Sequence, residues 1–363
     1  MIDYENLNLV NKPFEQQLKV AFEQFLDRGH YILGEEVRLF EEEFATYCGS
    51  KYCVGLASGL DALYLSLIAL ELPKGSEVLV PSNTYIATIT SIINAGLMPV
   101  LVEPKIDTYN INPILIEEQI TSKSKVIMVV HLYGKMCEME SILQIAKKNN
   151  LYVIEDCAQA HGATINGRKA GTFGTFGAYS FYPTKNLGAL GDAGAIITDN
   201  EEYAIKLKAL RNYGSHQKYY NQYIGINSRI DELQASFLRI KLKGLDQFNA
   251  YKTSLANLYF KQIKNPLLIL PLKQASYIDS HHIFNIRCIY RDELKAFLLK
   301  NEIKSEIHYP VPPHQQVGYQ SFFSKNYPIS ELIHQTTLSL PISNLMQQKD
   351  IEYVCRVLNN FEK

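Results

Sequence analysis

The sequence predicts an α/β protein, with a large domain built on a mostly parallel central sheet and a smaller C-terminal α/β domain. Three observations carry this expectation. Between residues 54 and 198, short and nearly continuous apolar runs alternate with stretches of helical periodicity, which is how a parallel sheet covered on both faces reads. The chain has 363 residues, more than one domain of about 100–200 residues requires. A long helical stretch from about Asp231 to Phe260 then separates the alternation from a remainder with its own strand, helices and proline-rich loop. It places a boundary near residue 245 and domains at 1–245 and 246–363.

Residues 14–28 carry apolar side chains at 14, 18, 21, 22 and 25 and end at Gly29, the spacing and stop of an amphipathic helix. A second helix spans 34–47, and its acids Glu35, Glu36, Glu41, Glu42 and Glu43 read as a solvated face because no histidine accompanies them. Val54 to Ser58 is a short buried strand that runs through Gly59 into a helix over 60–70. Strands at 77–80, 100–102, 125–130 and 152–155 then alternate with helices at 85–95, 113–120 and 139–149. A strand at 178–182 is stopped by Pro183, and a strand at 194–198 and a helix at 201–211 follow. The polar, glycine-punctuated stretch 211–225 reads as a loop. In the smaller domain come a strand at 283–290, a helix at 292–301, the loop Tyr309-Pro-Val-Pro-Pro-His314 and a last helix near 349–361.

Composition narrows the function. Hydrophobic residues make up 47% of the chain, charged residues 20%, and the net charge is −1. Such a balance leaves no electrostatic footprint for nucleic acid or an anionic membrane, so a small-molecule site is favoured. The first ten residues lack a basic leader pattern and no run of 18 apolar residues occurs, so the expected location is the cytoplasm. The six cysteines, at 48, 53, 137, 157, 288 and 355, form no C-x-x-C pair and have no histidine at zinc spacing. They read as reduced, buried thiols, with no metal site.

Ligands of a parallel sheet sit beyond the carboxyl ends of its strands. That rule singles out Pro81 to Tyr85, His131 to Gly134 and Asp156 to His161, which follow strands directly. Strand, small-residue turn and helix at 54–61 offer free backbone N–H groups and the positive end of a helix dipole to a phosphate. Lys185 follows its strand directly, where desolvation can lower the pKa of its amine, the condition for Schiff-base chemistry with an aldehyde or ketone. A phosphate cradle, an aromatic ring at Tyr85, a buried carboxylate at Asp156 and an amine at Lys185 are the four things pyridoxal 5'-phosphate requires. Gly188, Gly191 and Gly194 are spaced G-x-x-G-x-x-G, which differs from the dinucleotide pattern and argues against NAD.

These strings closely resemble the DegT/StrS-type nucleotide-sugar aminotransferases, which are pyridoxal-phosphate transferases of the aspartate aminotransferase fold (fold type I). The resemblance runs through Tyr31-Ile-Leu-Gly34, Phe40-Glu-Glu-Glu-Phe-Ala45, Ala57-Ser-Gly-Leu-Asp-Ala-Leu63, Glu155-Asp-Cys-Ala-Gln-Ala-His-Gly162, Ser180-Phe-Tyr-Pro-Thr-Lys-Asn-Leu-Gly188, Asn227-Ser-Arg-Ile-Asp-Glu-Leu-Gln234 and His308-Tyr-Pro-Val-Pro312. It implies Lys185 as the Schiff-base lysine, Asp156 at the pyridine nitrogen, Gln159 at the ring hydroxyl and Tyr85 stacked on the ring. It further implies that Gly59, Leu60, Asp61 and Ser180 hold the phosphate, with Asn227 reaching it from the other subunit of a homodimer with shared active sites. Relatives often have a hydroxyl residue where this chain has Leu60, so contact there would be through the backbone. Substrate contacts implied in the same way are Tyr31, Tyr182, Tyr213, Arg229, His308, Tyr309 and His314.

The substrates implied are a nucleotide-linked keto sugar and L-glutamate. Lys185 to Gly194 and Arg211-Asn-Tyr-Gly214 look most like the branch that aminates C3 of a dTDP-linked 3-keto-6-deoxyhexose. Amination at C4 is the main rival. A sugar dehydratase of the same fold is disfavoured because deoxygenating relatives replace the lysine by histidine, and a non-catalytic regulator because Asp156, Gln159 and Lys185 are all intact. His161 and His216 read as structural.

Overall fold

A seven-stranded sheet forms the centre of the computed structural model, which describes residues 1–363. In chain order the strands of the large unit are β1 (Tyr52–Leu56), β2 (Glu77–Pro81), β3 (Met98–Val102), β4 (Ser124–Val130), β5 (Tyr152–Asp156), the two-residue strands β6 (Thr164–Ile165) and β7 (Arg168–Lys169), β8 (Phe176–Ser180) and β9 (Gly194–Thr198). The sheet order is β1-β9-β8-β5-β4-β2-β3. Only β9 runs against the others, pairing antiparallel with β1 and β8. The carboxyl ends of β1, β2, β4, β5 and β8 therefore open on one edge.

Near-continuous apolar strands follow from burial on both faces. Leu79, Ile127 and Val129 belong to one core cluster of 34 residues, while their neighbours Val78, Val80, Val126 and Met128 belong to another of 22 on the opposite face. Each fully buried Val, Leu or Ile contributes roughly 1.5–3 kcal/mol relative to exposure.

The helices of the large unit are α1 (Leu7–Asn11), α2 (Glu15–Arg28), α3 (Glu35–Cys48), α4 (Gly59–Ala69), α5 (Ile86–Asn94), α6 (Pro113–Glu118), α7 (Met139–Asn149), α8 (Glu201–Leu210) and α9 (Glu232–Leu242). Glu35 and Glu42 lie on the solvated face expected of the α3 acids, whereas Glu36 and Glu41 are buried. Glu36 is bound by Arg28 and Arg239, and buried Glu41 accepts from Arg211 and from the Gly55 N–H. Sequence periodicity alone could not show that the partners of these acids lie on distant helices. Glu232, at the start of α9, accepts from the N–H groups of Gly34, Glu36 and Val37 at 2.7, 3.0 and 2.9 Å. It thereby caps the amino end of α3, where donors are unsatisfied and negative charge is favoured.

The single helix expected over 231–260 is two, because the chain turns at Lys243-Gly244 before α10 (Leu245–Gln262) begins. Leu245 packs into the large core, whereas Leu255, Ala256 and Tyr259 enter a third cluster of 21 residues that ends at Phe361. That cluster also takes α11 (Arg291–Lys300), α13 (Gln348–Asn359) and the antiparallel pair β13 (Phe284–Arg287) and β14 (Thr337–Leu340). The first residues of the chain pack with it too. Ile2 donates to the Glu302 carbonyl at 2.7 Å and packs against the same cluster, so residues placed at 1–245 by sequence begin in the smaller unit. The alternation offered no cue to β12 (Tyr277–Ile278) or to α12 (Pro328–Thr336) with β14 directly after it. In the stretch read as a loop, β10 (Ser215–Gln217) and β11 (Tyr220–Asn221) form a small hairpin. No helix is long and apolar enough to cross a membrane.

Candidate active site

Three strand ends converge at Gly59. A Cβ on Gly59 would lie 2.5 Å from the Ser180 Cβ, and one on Gly194 would lie 2.3 Å from the Ser58 carbonyl carbon, so β1, β8 and β9 approach to a distance only glycine allows. Ser58 caps α4, its Oγ accepting from the Asp61 N–H at 3.1 Å. The N–H groups of Gly59 and Leu60, in the first turn of α4, have no acceptor in the chain. Asp61 departs from the sequence expectation. Its N–H is committed to Ser58, and its carboxylate accepts from Ser228 Oγ at 2.7 Å, so it offers a phosphate no donor and would repel one. The Ser180 hydroxyl is met only by a long contact from the Tyr182 N–H at 3.4 Å and is free to donate.

Asp156 ends β5 with its side chain buried. Thr88 Oγ1 donates to Oδ2 at 2.9 Å and the Ala158 N–H to Oδ1 at 3.1 Å. Burial raises its pKa above the ordinary carboxylate value, opposed by those two bonds and by the charge of Lys185. The preceding Glu155 faces the other side of the sheet. It accepts the N–H groups of Gly171, Phe173 and Gly174 at 2.8, 2.7 and 2.6 Å, and it is bonded to His131 Nε2 at 3.0 Å. His131 Nδ1 accepts from the Cys137 N–H at 3.1 Å, which leaves the ring proton on Nε2. His131, Glu155 and Cys157 lie within ligand distance of one another. The carboxylate, however, is already saturated in holding the turn that leads into β8.

Lys185 follows β8 in a turn closed by its own N–H to the Tyr182 carbonyl at 2.9 Å. The side chain is half-buried, and burial lowers the ammonium pKa to about 8, with Asp156 pulling it back up. At pH 7 about a tenth of the amines are then neutral, against fewer than about one in a thousand for an ordinary lysine.

Gln159 is buried and used at both ends. Its Oε1 accepts from the Tyr133 N–H at 2.6 Å, and its Nε2 donates to the Tyr309 hydroxyl at 3.0 Å. The Tyr309 ring lies 5.1 Å from that of Tyr85, whose own ring is 51% exposed, so the two form a wall open to solvent on one side. Sequence placed Tyr309 on the sugar. The structure brings it also to Gln159, joining the two units of the chain at this point. His308 Nδ1 is bonded to Ser339 Oγ at 2.9 Å, and burial lowers its pKa to about 4, so the ring is neutral. His314 is buried against Tyr327 and bonded to Glu331 at 3.0 Å.

Tyr31, Tyr182 and Tyr213 are 48%, 52% and 51% exposed. Arg229 donates to Asn212 Oδ1 at 2.8 Å within its own chain, and Asn227 is exposed with no partner for its amide. Sequence reasoning gave no role to Thr88, Ser228 or Tyr133. Each acts through another site residue, and nothing in local spacing marks such a role.

Residues 14–359 match the model of the DegT/DnrJ/EryC1/StrS aminotransferase family. The chain belongs to that family. It is 50% identical over 361 residues, 99% of each chain, to the dTDP-3-amino-3,6-dideoxy-alpha-D-galactopyranose transaminase of Aneurinibacillus thermoaerophilus. It is 40% identical over 344 residues to the dTDP-3-amino-3,4,6-trideoxy-alpha-D-glucose transaminase of Streptomyces venezuelae, covering 94% of this chain and 91% of the relative. Among solved structures, that of S. venezuelae DesV in complex with a ketimine intermediate superposes with a TM-score of 0.97 at 38% identity, covering 99% and 97% of the two chains. The protein is thus an aminotransferase, with the mostly parallel α/β architecture of such enzymes.

Proposed function

We propose that this aminotransferase uses pyridoxal 5'-phosphate to move an amino group from L-glutamate to C3 of a dTDP-linked 3-keto-6-deoxyhexose. The observation that carries the reading is the half-buried Lys185 amine, unpaired and lowered in pKa beside the buried Asp156 carboxylate, on the edge where β1, β8 and β9 form a cradle. The residues fit the cofactor. Gly59 and Leu60 N–H groups and the Ser180 hydroxyl would hold its phosphate, Asp156 its ring nitrogen, Gln159 its ring hydroxyl, and Tyr85 would cover one face. When bound, the group supplies an aldehyde for reversible C=N bond formation and a ring that withdraws electrons. Asp156 would keep a proton on the ring nitrogen, because a buried carboxylate is stabilised by an adjacent cation. Lys185 would supply the amine for that C=N bond and, once free, would move the proton at the substrate carbon as a general acid and base. Tyr85 and Tyr309 exclude water from that transfer.

The sugar assignment rests on the relatives, two of which are named as dTDP-3-amino-sugar transaminases; the more similar one favours the galacto configuration. The exposed and unpaired Asn227 supports a homodimer in which this amide completes the phosphate site of the partner. The test is to incubate the protein with glutamate and, separately, dTDP-3-keto-6-deoxygalactose, its gluco epimer and a dTDP-4-keto sugar, and to place the nitrogen by mass and NMR analysis. The expected product is a 3-amino sugar formed fastest from the galacto substrate. A 4-amino product would overturn the assignment of C3.

A further inference from the structure

The three residues after Lys185 are each held by a different buried group. Asn186 Nδ2 donates to Asn249 Oδ1 at 2.8 Å and to the Ser280 carbonyl at 2.7 Å, and Lys252 Nζ donates to Asn186 Oδ1 at 3.3 Å. The Leu187 N–H donates to His161 Nδ1 at 3.0 Å. The Gly188 carbonyl accepts from buried Lys241. Of these contacts, the one from Leu187 has a chemical signature of its own. An accepting Nδ1 requires the tautomer with its proton on Nε2, and that buried Nε2 lies on the side of the Ser180 backbone without a partner at full hydrogen-bond geometry. The ring packs between Tyr179 and Phe181, with centroids 5.6 Å from each. Glutamine and asparagine both carry an acceptor, yet only asparagine places it where Nδ1 stands.

We infer that His161 is a positioning residue for Lys185, acting through a single atom, Nδ1, which fixes the Leu187 peptide and thereby keeps the Lys185 amine inside the cleft. This rests on the reading of Lys185 as the reactive amine, but its test does not require turnover. The ring has to stay neutral to accept, and burial together with the charge of Lys185 lowers its pKa to about 3, so it does so across the working range. Releasing the loop would let the amine reach water and regain an ordinary lysine pKa, an effect general loosening elsewhere in the core would not produce.

The experiment uses the cofactor-free protein and reductive methylation with formaldehyde and cyanoborohydride, read at Lys185 by peptide mass spectrometry across pH 6.5–10. Parent and His161→Asn are expected to share a midpoint near 8. His161→Gln and His161→Phe are expected to move it up by about one unit or more, towards the ordinary lysine value. Circular dichroism confirms that each variant is folded, and should His161→Phe fail to fold, the comparison of Asn with Gln decides. Equal midpoints for Asn and Gln, or a parent-like midpoint for Phe, would overturn the inference. A parent midpoint near 10.5 would instead contradict the reading of Lys185 on which it rests.

Discussion

Two regions of the site are built in opposite ways. The floor, from Asp156 through Gln159 to the loop 185–188, is bonded at nearly every polar atom by groups of the same chain: Thr88, Ala158, Tyr133, Tyr309, His161, Lys241 and Lys252. The outer wall, with Tyr31, Tyr85, Tyr182, Tyr213 and Asn227, is exposed and largely without partners. The floor is thus pre-organised by its own chain, whereas the wall is left open to solvent. Specificity can then change through the wall without disturbing the groups that move protons.

If the floor carries the chemistry, its lesions should be large and confined to turnover. Lys185→Ala is expected to lose about 10²–10⁴-fold or more in turnover while retaining sugar binding, checked by single-turnover kinetics and equilibrium dialysis. Asp156→Asn should lower turnover by about 10²–10³-fold with little change in KM, because a neutral amide cannot hold the ring proton. Parent-like turnover in either variant would break the distinction between floor and wall.

The wall yields a test of subunit sharing. Asn227→Asp sets a negative charge against the phosphate and should inactivate by weakening cofactor retention. Mixed under conditions of subunit exchange with Lys185→Ala, it should restore part of the activity, since one site in each heterodimer then carries neither lesion. If Asn227 serves its own chain, every site keeps one lesion and mixing restores nothing. Smaller still, Tyr31→Phe and Tyr213→Phe should raise KM for the sugar and leave stability within about 0.5 kcal/mol, as exposed positions do.

The smallest effect concerns the buried cations beneath the floor. Burial lowers the pKa of Lys241 and of Lys252 to about 8 each. The unfolded chain therefore binds more protons than the folded one above pH 8, and stability should rise with pH from about 8 to 9. Beyond that window the buried thiols, whose pKa burial raises, oppose the trend. Lys252→Met should flatten the rise in Tm over those pH values, and an unchanged slope would count against the buried-ammonium picture.

The alternation of apolar strands and helices made the parallel sheet legible, and the rule that ligands sit beyond strand ends led to Asp156 and Gln159 without a structure. Leu79 and Val80 read as one apolar run because both faces of the sheet are covered, which is a local signal. What stayed hidden depends on pairings across long stretches of chain. Glu41 read as solvated because Arg211 lies 170 residues away, and Asp61 read as a phosphate ligand because Ser228 lies 167 away. The loop at 211–225 concealed a hairpin too short to show alternation. His314 was assigned by the segment it belongs to, and its bond to Glu331 has no cue in local spacing.

The central claim is that Lys185 is the amine that forms the C=N bond with the cofactor. Borohydride reduction of the protein saturated with pyridoxal 5'-phosphate, followed by peptide mass spectrometry, tests it most directly. The account predicts one reduced pyridoxyl group per chain, on Lys185, and none in Lys185→Ala. A reduced group on Lys252, Lys241 or any other lysine, with Lys185 unmodified, would contradict it.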